Sequence, residues 1–186
     1  MRRTTRRSAV VIAAAAMAAL ASCGSSLRPP ACPSGAVATL NFTGTLEQGT
    51  NCPAVLKALQ SYTPDGGISF TATVAYGTSS DAYLCVQKNE ATPITGQRVG
   101  DHLTLDGGAV AATLDGCGCP LTVTETLVGD VLRGNGGAVV GFAGELSDTI
   151  APAEGATGCE LDGGATDGGA TCGATCTARW QVTATP

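Results

Sequence analysis

Ile68-Ser69-Phe70-Thr71-Ala72-Thr73-Val74-Ala75-Tyr76 reads in strict alternation. Ile68, Phe70, Ala72, Val74 and Tyr76 share one face, while Ser69, Thr71 and Thr73 share the other. Only a repeat of two residues produces that pattern, so the segment is a half-buried β-strand. The C-terminal run repeats it. Ala178, Trp180, Val182 and Ala184 alternate with Thr177, Arg179, Gln181, Thr183 and Thr185. Weaker alternation surrounds Leu40, Phe42 and Leu46, and again Val140, Phe142 and Leu146. Val99 to Leu105, Val110 to Leu114, Leu121 to Leu132 and the shorter Tyr83 to Gln87 complete the expected strands.

Asp65-Gly66, Asp106-Gly107, Asp115-Gly116 and Asn135-Gly136 punctuate these runs. Such dipeptides accept the positive φ of tight hairpin turns, and their spacing implies successive antiparallel neighbours. One short helix is expected over 53–61, capped by Asn51 and stopped near Pro64, with Val55, Leu56 and Leu59 on one side. About eight strands with short turns predict an all-β antiparallel meander. A small barrel is favoured over a two-layer β-sandwich, because a meander joins neighbours without long crossovers.

The first 22 residues differ from all of this. Arg2, Arg3, Arg6 and Arg7 form a basic start, Val10 to Leu20 is an uncharged apolar run, and Ala21 and Ser22 are small. The apolar run is about half the length that crosses a bilayer as a stable helix. Leu20-Ala21-Ser22-Cys23 then resembles the lipobox of bacterial lipoproteins, an aliphatic residue, two small residues and a cysteine. The resemblance implies diacylglycerol on the Cys23 sulfur, cleavage before Cys23, and acylation, for example by palmitate, of the new amine. Two or three chains make a stable membrane anchor, where one holds only reversibly. Gly24 stands where an aspartate retains enteric lipoproteins at the inner membrane, which favours the outer membrane. Thr5-Arg6-Arg7 looks like part of a twin-arginine signal, but the Phe-Leu downstream is missing, so the general secretory route is preferred.

The expected organisation is therefore a signal peptide at 1–22, a lipidated N-terminus and Pro-containing tether at 23–34, and one all-β domain over 35–186. Removal of the four signal arginines leaves six Lys and Arg against fifteen Asp and Glu, about −9 from side chains. A domain of that charge with no basic cluster repels nucleic acid and anionic lipid. The remaining 164 residues suit a single domain, but large apolar side chains are sparse, with three Phe, three Tyr and one Trp.

Nine cysteines become eight once Cys23 is lipidated: Cys32, Cys52, Cys85, Cys117, Cys119, Cys159, Cys172 and Cys176. In an exported protein that even number reads as up to four disulfides. Cys117 and Cys119 flank a single glycine, so each is expected to have a different partner. Cys159, Cys172 and Cys176 form a pool that ties the last strand back to the sheet. Among Cys32, Cys52 and Cys85, one pairing is expected. A zinc site from Cys117-Gly-Cys119 and Cys172 to Cys176 has the wrong spacings, and disulfide formation competes for the thiols, so no metal is expected. Between Cys159 and Cys172, Asp162-Gly-Gly-Ala-Thr166 repeats as Asp167-Gly-Gly-Ala-Thr171. It lacks core-forming residues and reads as a flexible Gly-rich loop over 160–171, matching neither the EF-hand nor the calcium-binding nonapeptide pattern.

Sequence motifs for known catalysis are missing: no Gly-x-Ser-x-Gly, no His-Glu-x-x-His and no phosphate-binding loop. His102, the single histidine, falls on the polar face of its strand. Glu125 falls in the row of Leu121, Val123, Leu127 and Val131, which would aim it at the interior. A carboxylate there would have a raised pKa or an arginine partner, but the plainer reading, a strand near an open barrel end or a bulge that flips the register, is preferred. The expectation is a non-enzymatic envelope protein with a binding or structural role, free of cofactors and without a nucleic-acid partner. The alternatives are a lipocalin-like carrier of a small apolar ligand and an unfamiliar hydrolase using Glu125 or His102.

Overall fold

The computed structural model describes residues 32–33, 35–47, 66–87, 93–112, 120–157 and 175–186. Eight strands follow in order: β1 (Ala36–Leu46), β2 (Ile68–Tyr76), β3 (Asp81–Val86), β4 (Ile94–Val99), β5 (His102–Ala112), β6 (Leu121–Arg133), β7 (Val139–Pro152) and β8 (Cys176–Thr185). Each pairs with the next, and β8 returns to β1, so the sheet closes into a barrel. The closing ladder runs antiparallel from Asn41 opposite Thr185 to Leu46 opposite Trp180. That ladder removes the sandwich alternative, because it leaves no pair of free edges. The expected helix at 53–61 and Gly-rich loop at 160–171 lie outside the described residues. So do the signal peptide, Cys23, Cys52, Cys117, Cys119, Cys159 and Cys172.

Alternation decides what faces inward. Ala178, Trp180, Val182 and Ala184 of β8 are buried, as are Leu40 and Phe42 of β1 and Ala72 and Val74 of β2. The three phenylalanines meet in one cluster. Phe42 stacks on Phe70 with centroids 4.9 Å apart, and tilts against Phe142 at 5.6 Å. Phe42 and Phe142, which are fully buried, each contribute roughly 1.5–3 kcal/mol by burial. Trp180 fills the middle of the barrel beside them, and its indole N–H donates to the Gly66 carbonyl at 3.0 Å. So few aromatics suffice because all the phenylalanines and the tryptophan are spent inside.

Two interior glycines make that packing possible. Gly129 of β6 and Gly144 of β7 lie directly opposite each other. A Cβ on Gly129 would come within 2.6 Å of Cζ of Phe142, and one on Gly144 within 3.0 Å of its Cε1. The ring of Phe142 thus occupies the space two side chains would have taken. The outer wall is hydroxyl-rich. Thr39 and Thr73 share a hydrogen bond at 2.9 Å, Thr126 and Ser147 one at 2.7 Å, and Thr71 donates to Asn41 at 2.9 Å. Cross-strand pairs of this kind reinforce the ladder.

Two sequence expectations are corrected. The run Val99 to Leu105 is not one strand: it breaks at Gly100 and Asp101, with Gly100 at φ 64°, and the halves belong to β4 and β5. Asp106-Gly107 is no hairpin turn but a bulge within β5, where the register shifts between Asp106 and Ala109. The Asp106 carboxylate accepts from the Gly108 N–H at 2.7 Å while Gly108 takes the positive φ of 71°. An Asp-Gly pair serves a bulge as readily as a turn, and here the ladder to β6 resumes beyond it. Asn135-Gly136 behaves as expected, turning β6 into β7 with Gly136 and Gly137 at φ 85° and 82°.

The two ends of the barrel are unlike. At one end short connections, 77–80, 100–101 and 134–138, join the strands. There Arg133 bonds the Asp101 carboxylate at 2.7 Å and the Gly137 carbonyl at 2.8 Å, and the Arg98 guanidinium lies 4.5 Å above the Tyr76 ring. All four long connections, 47–67, 87–93, 113–120 and 153–175, are at the other end.

Cys32 and Cys85 form a disulfide, which places the chain ahead of β1 against the outside of β3. Cys176 is also disulfide-bonded, with its partner outside the described residues. The first is the one pairing expected among Cys32, Cys52 and Cys85.

Candidate functional site

On β6 and β7 the inward row reads Leu127 opposite Leu146, Glu125 opposite Asp148, and Val123 opposite Ile150. The ladder between these strands is continuous from Leu121 to Leu132, so no bulge turns Glu125 outward. Glu125 thus keeps the interior register that its row implies, the flipped register is ruled out, and the structure adds a second carboxyl directly across from it. Ala178 of β8 completes the layer on one side, opposite Asp148. On the other side the β5 bulge brings Gly107 against Glu125. A Cβ on Gly107 would lie 3.6 Å from that of Glu125 and 4.0 Å from Ile94 Cγ1.

Below this layer Leu127, Leu146 and Trp180 are buried; above it lie Val123, Ile150 and Leu121, and then the long connections. The carboxyl pair is thus the first polar layer met from the loop-bearing end. Neither residue forms a salt bridge among the described residues, and Asp148 Oδ1 is buried without a hydrogen-bond partner. A buried carboxylate lacking such support is costly, and protonation relieves the cost. Burial accordingly pushes the Asp148 carboxyl up to about 7, with the neighbouring Glu125 charge as the second cause. Burial alone raises Glu125. Two opposed carboxyls with raised affinity for protons can share one proton or give it to a bound group. They are oxygen donors only, and among the described residues no group of three or more His, Cys, Asp and Glu could hold a metal ion.

His102 is elsewhere. It sits on the outer wall at the short-turn end, bonded to Asp130 of β6 at 2.9 Å, with both side chains about half exposed. The strand register places Glu125 five residues from Asp130 and on the opposite face of β6, so the structure does not bring His102 and Glu125 together. An open hollow of about 270 Å³ beside His102 is lined by Gly96, Gln97, Val99 and Thr104 on the wall between β4 and β5.

Asp148 went unnoticed in the sequence although the signal was there. Extending the alternate row from Phe142 through Gly144 and Leu146 arrives at Asp148 and then Ile150, both inward. Glycine at 144 and aspartate at 148 interrupt the apolar pattern and hide the length of the strand.

Comparison with known proteins finds no match: no family model, no curated protein and no solved structure. What defines the chain is its own architecture, a closed eight-stranded antiparallel barrel with a carboxyl pair facing inward near the loop-bearing end and no salt bridge to it among the described residues.

Proposed function

We propose that the chain is a cell-envelope lipoprotein, held on a membrane by lipid at Cys23, whose barrel has a non-enzymatic binding or structural role. The observation that carries this is Leu20-Ala21-Ser22-Cys23 at the end of a basic and then apolar leader. The cysteine count supports it, since lipidation of Cys23 removes the odd thiol from a set in which Cys32, Cys85 and Cys176 are disulfide-bonded. Disulfides fit a compartment outside the cytosol. Gly24 favours the outer membrane over the inner one.

A β-barrel is compatible with binding or carriage, and in the lipocalin-like reading a small ligand enters the barrel mouth. Trp180, Phe42 and Phe142 occupy the middle, so a ligand would rest above them, at the level of Glu125 and Asp148. This favours a small site in the loop-side half of the barrel over a deep apolar cavity.

Metabolic labelling with palmitate tests the anchor. The wild-type chain incorporates label and partitions with membranes, and Cys23→Ser gives an unlabelled precursor of higher mass. Label retained by Cys23→Ser would remove the anchor and this reading with it.

A further inference from the structure

Glu125 and Asp148 face each other across adjacent strands, inside an apolar wall, with Asp148 Oδ1 unpartnered. We propose that this pair is a proton-operated latch: protonation of the facing carboxyls keeps β6 and β7 packed together at the loop-bearing end of the barrel, and loss of the proton loosens them there. The inference concerns the barrel alone and holds with or without a lipid anchor.

Every described element packed around the pair leaves it without a compensating charge. β4 and β5 present Ile94 and Gly107. β8 presents Ala178 between Cys176 and Trp180, and Cys176, being disulfide-bonded, does not titrate. The nearby charged groups on these strands point outward: Asp106 caps its own bulge, and Arg179 lies 3.8 Å from Glu145 on the outer wall. At the other end of the barrel Asp101 and Arg133 neutralise each other. Only the loop-bearing end therefore carries like charges facing inward without an opposite one, among the described residues.

The sign follows from proton linkage. Asp148 is raised from an ordinary 3.8 to about 7 in the closed barrel. An opened strand end, wetted by solvent, returns it toward the ordinary value. The closed form then binds one more proton than the open form across the interval between them. Closure is fully favoured below pH 3.8, is lost progressively as pH rises toward 7, and stays constant above. Between pH 5 and 7 one proton changes the opening equilibrium by up to about 100-fold. The unfavourable state is the doubly charged one, in which the two carboxylates repel each other across the strand pair.

Amide hydrogen exchange on the intact protein tests this, with rates corrected for the intrinsic effect of pH. Protection in residues 121–127 and 146–152 should fall at least tenfold between pH 5 and pH 8, while 129–133 and 139–143 keep theirs. Asp148→Asn should give the same protection at both values. Should that variant not fold, the wild-type carboxyl carbon-13 resonance of Asp148 supplies the answer, with a midpoint near neutrality. Equal protection of both halves at both pH values, an unchanged pH response in Asp148→Asn, or a midpoint near 4 would each overturn the proposal.

Discussion

Alanine at Gly129 and alanine at Gly107 should move stability in opposite directions. Neither glycine has a positive φ, so alanine can adopt either backbone conformation. Where there is room, Gly→Ala stabilises by about 0.4–1 kcal/mol, because the unfolded chain loses freedom. At Gly107 there is room: the nearest atoms to an added Cβ are 3.5 Å away or more, which is ordinary contact. At Gly129 there is none. The added carbon would press on the Ala143 carbonyl oxygen and would lie 2.6 Å from both Gly144 Cα and Phe142 Cζ. Backbone cannot yield as a flexible side chain does, so the strands must spread or the ring must turn. Overpacking of this kind costs about 1–3 kcal/mol. Set against the smaller gain, Gly129→Ala should lose about 1–2 kcal/mol net, and Gly107→Ala should gain a few tenths to about 1. In a domain of this size each kcal/mol moves Tm by about 2–4 °C. Trp180 is the only tryptophan and is 1 % exposed, so its emission reports urea unfolding of the core without a label. A Gly129→Ala protein as stable as the parent would refute the close packing of β6, β7 and the Phe142 ring.

Two further substitutions read other parts of the barrel. Trp180→Phe removes the indole donor from the Gly66 carbonyl and leaves a gap at the centre, costing about 2 kcal/mol or more by circular dichroism during urea unfolding. Cys85→Ser opens the link to Cys32 across a sequence separation of 53 residues, and chain entropy puts the loss near 4 kcal/mol, read as a lower urea midpoint. Reduction of the wild-type protein should then lower the midpoint by at least as much.

The strands that were legible are those whose inward rows hold large apolar residues. β2 and β8 announce themselves because Phe70, Val74, Trp180 and Val182 alternate with threonine and other polar residues. β4 did not, because its inward row passes through Gly96 and Arg98, and neither signals a buried face. Arg98 is tolerated there because it lies at the short-turn end, where it stacks on Tyr76 and donates to the Ser79 carbonyl at 3.3 Å. Gly107 and Gly108 show a second ambiguity, since the same local chemistry ends a strand or bends it, and only the partner strand decides. For the site, Glu125 was legible from its row, whereas its relation to Asp148 needed the register of a different strand. Which cysteines pair is likewise a property of the closed barrel: Cys32 meets Cys85 because β1 and β3 flank β2, a neighbourhood the alternation pattern does not specify.

The Cys32–Cys85 bond also sets where a pull would enter the fold. Tension along the chain ahead of Cys32 passes through the sulfurs into β3 and does not reach the start of β1 directly. β1 is hydrogen-bonded on both sides, to β2 and to β8, and peeling it from its N-terminus would unzip the barrel one bond pair at a time. The load enters β3 instead, a strand two places along the wall that is itself hydrogen-bonded to β2 and β4. A pull on a domain tethered by its N-terminus would thus bypass the seam where β1 closes the barrel on β8.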